Sequence, residues 1–128
     1  EIYVQLNLRN QADLIAYTII NNSDNEELFN FIKLISYSKN EKVINTATEK
    51  YISNNSNSIN SYLNIASIHL LTNKKNEMYK TFQKCINENG LKTITILRND
   101  KRFDSIKNEM RFKKILNSNI NFSKPLLY

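Results

Sequence analysis

A chain of 128 residues, 41% hydrophobic and 23% charged, holds enough apolar material for one folded core and too much for a disordered tail. With one glycine, one proline and one cysteine, it is poorly supplied for sandwiches, barrels and α/β folds, whose tight turns draw on glycine, and it cannot form an intramolecular disulfide. The net charge of +6 is carried by the second half: residues 1–64 hold five Lys/Arg against seven Asp/Glu, and residues 65–128 hold thirteen against five.

A basic half attracts acidic peptides, nucleic acid or anionic lipid, so charge alone does not choose among them. Gly90 is the sole glycine, which leaves the abundant asparagines to end helices and turn corners. No apolar run approaches the roughly 20 residues of a membrane span. No signal peptide is visible, and a single cysteine needs no oxidising compartment, which favours the cytoplasm without fixing the compartment. The chain opens at Glu1 without Met, which fits either a mature form or a piece of something longer.

Taken in order, residues 1–22 are expected to be the remains of a helical hairpin. Ile2, Tyr3, Leu6 and Leu8 make one apolar stretch, Leu14, Ile15, Tyr17, Thr18 and Ile19 the next, with Arg9-Asn10-Gln11 between. The alternation from Ile2 to Leu8 also permits a short strand. Asp24 is placed to cap the following helix, with Glu26 and Glu27 favourable in its first turn. Leu28, Phe31, Ile32 and Ile35 form its apolar stripe. After Ser38-Lys39-Asn40, Val43, Ala47 and Tyr51 carry a second helix at i, i+4, i+8, and residues 53–58 form a polar connector.

The clearest unit spans Ile59 to Gly90. Tyr62, Ile65, Ala66 and His69 fall at i, i+3, i+4 and i+7, then residues 72–76 break the pattern, and Met78, Phe82 and Cys85 or Ile86 resume it. Asn89-Gly90 supplies a helix stop. Two antiparallel helices of about three turns are therefore expected.

These residues resemble a tetratricopeptide repeat. That family places a bulky residue, Leu, a small residue and an aromatic at the positions of Tyr62, Ile65, Ala66 and His69. In its second helix it places Ala, an aromatic and Ala at those of Met78, Phe82 and Cys85. His69 stands for the usual Tyr, Met78 for a small residue, and Gly90 where Pro is common. Leu28, Phe31, Ile32 and Ile35 repeat the first-helix pattern 34 residues earlier, the family's period.

In the C-terminal part, NDKRFDSI (Asn99–Ile106) and NEMRFKKI (Asn108–Ile115) repeat at a spacing of nine. Each suggests a short helix capped by Asn or Asp, with Phe103/Ile106 and Phe112/Ile115/Leu116 facing inward. This pair is similar to the closing segment of many bacterial tetratricopeptide proteins, which covers the apolar face of the last hairpin.

The expected fold is therefore all-α, with five to eight helices in antiparallel hairpins stacked as a short right-handed superhelix. A single helical domain would cover residues 1–118, with 91–118 as its cap and 119–128 as a tail.

Catalytic groupings are scarce. His69 is the only histidine, which puts a His/Cys metal cluster out of reach, and one glycine cannot build a phosphate loop. Cys85 reads as a small core residue. Asp100 reads as a cap and Asp104 as a solvated carboxylate. No enzyme activity, cofactor or metal is expected.

The resemblance implies a protein- or peptide-binding scaffold whose concave groove is lined by the first helix of each pair. Carried over position by position, the groove would take Phe29, Asn30 and Lys33 from one unit. Leu63, Asn64, Ser67 and Leu71 would come from the next, and Leu97, Arg98 and Lys101 from the segment after it. Asn30, Asn64 and Arg98 recur at 34-residue intervals. Some members of the family grip a peptide's terminal carboxylate with Asn, Lys and Arg at such places.

Two other readings stand beside it. Nine Lys/Arg against three Asp/Glu between Lys92 and Lys124, interleaved with Phe103 and Phe112, could serve nucleic acid by phosphate contact and base stacking. The chain could also be an accessory domain of a larger bacterial hydrolase.

Overall fold

A computed structural model describes the backbone of residues 2–123 and the side chains of residues 11–117. Among the described residues the chain forms seven α-helices and one 3-10 helix, with no strand. They are α1 (Ile2–Asn22), α2 (Asn25–Ile35), α3 (Glu41–Asn54), α4 (Ile59–Leu71), α5 (Lys75–Asn89), α6 (Lys92–Asn99), the 3-10 helix Lys101–Ile106, and α7 (Met110–Ser123). Contacts divide the chain into two compact units, Glu1–Ser56 and Asn57–Tyr128.

In the first unit, the expected break at Arg9-Asn10-Gln11 is absent and α1 runs through it as one helix. These three residues are all tolerated in a helix, and no glycine or proline is there to stop it. The alternative strand over Ile2–Leu8 is excluded by the same helix.

Asp24 starts α2 with a reciprocal cap. Its Oδ1 accepts the Glu27 N–H at 2.9 Å, and Glu27 Oε1 accepts the Asp24 N–H at 3.4 Å. Asn40 caps α3 by accepting the Val43 N–H at 3.3 Å. Leu28 and Ile32 of α2 and Val43, Ile44 and Ala47 of α3 are buried, and the two helices pack together. α1 packs on α3, with Ile20 buried. The Asn40 amide donates to Asp13 Oδ1 at 2.8 Å, and the Lys50 ammonium donates to the Ile20 carbonyl at 2.7 Å.

The second unit opens with Ser58, whose Oγ accepts the Ser61 N–H at 3.2 Å and so starts α4. The repeat-spaced residues become interior: Tyr62, Ile65, Ala66 and His69 on α4, and Met78, Phe82, Cys85 and Ile86 on α5, are all buried. Asn73 takes φ +59° between these helices, and Ser56 and Asn57 take +57° and +54° before them. Asparagine thus does at two corners what glycine does in most folds. Gly90 ends α5 with φ 73° and ψ −153°, a conformation essentially reserved for glycine.

One core joins α4, α5, α6, the 3-10 helix and α7. It holds Leu63, Met78, Phe82, Ile94, Leu97, Phe103, Ile106, Phe112 and Leu116. Phe82 is its centre. Phe103 meets it edge-on at 5.0 Å between centroids, Tyr79 at 5.8 Å and Phe112 at 6.0 Å, arrangements that suit aromatic quadrupoles.

The two RFxxI segments both turn their Phe and Ile inward, but into different helices. The first forms a six-residue 3-10 helix that Asp100 caps by accepting the Arg102 N–H at 3.0 Å. The second starts α7, which continues to Ser123 and so enters the stretch expected to be a tail. Pro125 lies outside the described residues.

Candidate functional site

On α4, burial is so extensive that one narrow stripe remains. Residues 61–63, 65, 66, 68 and 69 are buried, and Asn60, Asn64, Ser67 and Leu71 are left at i, i+4, i+7 and i+11, half-buried or exposed. Leu71 is 74% exposed. Ser67 Oγ donates to the Asn64 carbonyl at 2.7 Å.

Leu63 was expected in this groove and does not belong there. It is 1% exposed and part of the core. Leu97, expected in the same set, is fully buried as well. Both belong to the core that α4, α5, α6, the 3-10 helix and α7 share, which the carried-over repeat pattern does not anticipate.

Asn64 is held by Arg102, whose Nη1 donates to Asn64 Oδ1 at 2.7 Å. The rest of that guanidinium is held by Asp100. Nε lies 3.1 Å and 3.2 Å from its two carboxylate oxygens, and Nη2 lies 2.7 Å from Oδ2. These bonds keep the Asp100 carboxyl below its ordinary value, so the pair stays ionised. Arg102 therefore anchors the 3-10 helix to α4. Arg98 and Lys101 precede Arg102 in the chain and are exposed.

In the first unit, Asn30 and Lys33 are exposed on α2. The Lys33 ammonium lies 4.6 Å from the centroid of the Phe29 ring, and Phe29 stacks on Tyr51 at 5.3 Å. Lys33 thus folds back along its own helix.

A second feature escaped the sequence reading. Between α5 and α7 lies a cleft of about 380 Å³ lined by Tyr79, Lys80, Gln83, Arg111, Lys114 and Ile115. Arg111 is fixed in place: Nη1 donates to Asn76 Oδ1 at 2.7 Å, and the guanidinium carbon lies 4.5 Å from the Tyr79 ring centroid. Tyr79 donates from its hydroxyl to Glu109 Oε1 at 2.7 Å, and Lys75 pairs with Glu109 Oε2 at 2.5 Å. Burial and the bond to Glu109 push the Tyr79 hydroxyl far up, so it remains a donor. Lys75 and Tyr79 hold the Glu109 carboxyl down. The signal in the sequence was 79, 80, 83 on one helix and 111, 114, 115 on another, each a single face.

The phenylalanines considered for base stacking are not available for it. Phe103 and Phe112 are 0% and 1% exposed. Cys85 is buried, and burial raises its thiol pKa, which makes it a poor nucleophile. Among the described residues there is no group of three His, Cys, Asp or Glu that could hold a metal ion, and no helix is long and apolar enough to cross a membrane. No family model, curated protein or solved structure matches this chain.

Proposed function

We propose that this chain is a non-catalytic protein-interaction module of tetratricopeptide type, its hairpins stacked in a right-handed superhelix, and that it holds the end of a partner's acidic segment against α4. The observation that carries the reading is the partition of α4. Every residue at a repeat packing position is buried, while Asn64, Ser67 and Leu71 form one outward stripe.

Leu71 offers the apolar contact for a side chain, and Arg98 and Lys101 on the following elements offer charge for a terminal carboxylate. Arg102 serves differently: with its fork taken up by Asp100 and Asn64, it stiffens the wall. A pre-set wall lowers the ordering cost of binding.

The test is fluorescence anisotropy of an acidic peptide with a free C-terminal carboxylate. Arg98→Ala is expected to weaken binding about tenfold with helicity unchanged, and amidating the peptide's C-terminus is expected to do the same. Indifference to both changes would dispose of the carboxylate grip.

A further inference from the structure

The α4 stripe uses none of the side chains in the cleft between α5 and α7. We propose that this cleft is a second binding site, one that takes internal glutamate or aspartate side chains of an acidic protein segment. Arg111 and Lys114 receive the carboxylate, and Ile115 seats a neighbouring apolar side chain. The proposal rests on the reading of the chain as a protein-interaction module, and it adds a separate surface and a separate chemistry.

Charge is the first argument. Lys80, Arg111 and Lys114 are three cations among six lining residues, and none of the six is a carboxylate. Two acids stand beside it: Glu77 pairs with Lys80 at 3.4 Å, and Glu109 pairs with Lys75 and receives the Tyr79 hydroxyl. With Lys80 matched by Glu77 and Glu109 by Lys75, Arg111 and Lys114 leave the cleft with net positive charge toward an incoming ligand.

Pre-organisation is the second. Arg111 is held from one side by Asn76 and from beneath by the Tyr79 ring. A guanidinium has five N–H donors, and Asn76 engages one nitrogen, so the planar fork can meet a carboxylate with little further loss of freedom. Gln83 is similarly steadied by donating to Asn87 Oδ1 at 3.0 Å.

The lining also chooses the kind of anion. Tyr79 is 3% exposed and its face is covered by the Arg111 guanidinium, so it presents no ring on which a base could stack. Ile115 is half-buried beside the cations, which suits an acidic side chain next to an aliphatic one. A volume of about 380 Å³ accommodates such a pair.

The test uses the full chain and a fluorescein-labelled, glutamate-rich peptide with an internal leucine and both ends blocked. Saturable binding at low salt is expected. Lys114→Gln and Arg111→Gln should each raise the Kd about tenfold, and Arg98→Ala should leave it within about twofold. Arg111→Gln also removes a packing contact, so Lys114→Gln and Lys80→Gln, at exposed positions, keep the test clear of misfolding.

An unchanged Kd in both lysine variants would overturn the proposal, as would displacement of the peptide by single-stranded oligothymidine at a lower concentration of charge. Binding of only the free-ended peptide would leave the α4 reading standing and remove this one. Failure of both peptides to bind would remove both.

Discussion

The guanidinium of Arg111 lies 4.5 Å from the ring centroid of Tyr79, and the Tyr79 hydroxyl reaches 2.7 Å to Glu109, two residues before Arg111 in the chain. One buried tyrosine on α5 therefore grips the start of α7 at two points, its face under a cation and its tip on a carboxylate. With Lys75 on Glu109 and Asn76 on Arg111, the first turn of α5 is bound to the same segment. The cleft exists because this latch sets the spacing of the two helices.

Removing the hydroxyl tests the latch. Tyr79→Phe is expected to cost about 0.5–1 kcal/mol, below the usual range for a bond to a charged acceptor because Glu109 is one-third exposed. Urea denaturation followed by circular dichroism measures it. A midpoint identical to the parent's would mean that the bond contributes nothing.

The aromatic centre carries far more. Phe82 is fully buried and touches the rings of Tyr79, Phe103 and Phe112. Phe82→Ala is expected to destabilise by about 3–5 kcal/mol. Leu71→Ser, at a position 74% exposed, should stay within about 0.5 kcal/mol. Comparable losses from the two would contradict the placement of the core.

Acid should weaken the second unit. The Glu109 and Asp100 carboxyls lie below their ordinary values of 4.5 and 3.8 when folded, because Lys75 and Tyr79 bind the first and Arg102 the second. A depressed folded value means that each contribution is complete above the unfolded pKa and disappears as pH falls through the folded one. Thermal midpoints should thus be flat above about pH 5 and fall below it. In Asp100→Asn that fall should be shallower. An unchanged acid slope in this variant would count against the Asp100–Arg102 pair.

Cys85 should be silent in the native state. It is 0% exposed, beside Thr93, and its thiol is held protonated by burial. A thiol-specific chromogenic reagent is expected to react slowly with the folded chain and promptly in denaturant. Immediate reaction without denaturant would show that the α5–α6 corner opens readily.

Much of this architecture was legible in the residues. Periodicity located the seam of the α4–α5 hairpin, because Tyr62, Ile65, Ala66, Met78 and Phe82 have no alternative interior to fill. Asn73 and Gly90 marked corners for the same reason of backbone conformation. The continuity of α1 was hidden by Arg9-Asn10-Gln11, whose polarity suggests a turn while their propensities permit a helix.

Leu63 and Leu97 were misplaced because a pattern borrowed from stacked repeats does not say how tightly a cap will close. The α5–α7 cleft was out of reach for a further reason. Its two faces are distant in sequence, and the shared aromatic core together with the Tyr79 latch brings them together.

The most direct measurement is a 15N–1H correlation spectrum of the full chain titrated with an acidic peptide bearing a free carboxylate end. Saturating shifts gathered on Asn64, Ser67, Leu71, Arg98 and Lys101, with a second cluster at Gln83, Arg111 and Lys114, are the expected result. A spectrum that does not move, or that moves evenly over every helix, would contradict a dedicated docking surface on this protein.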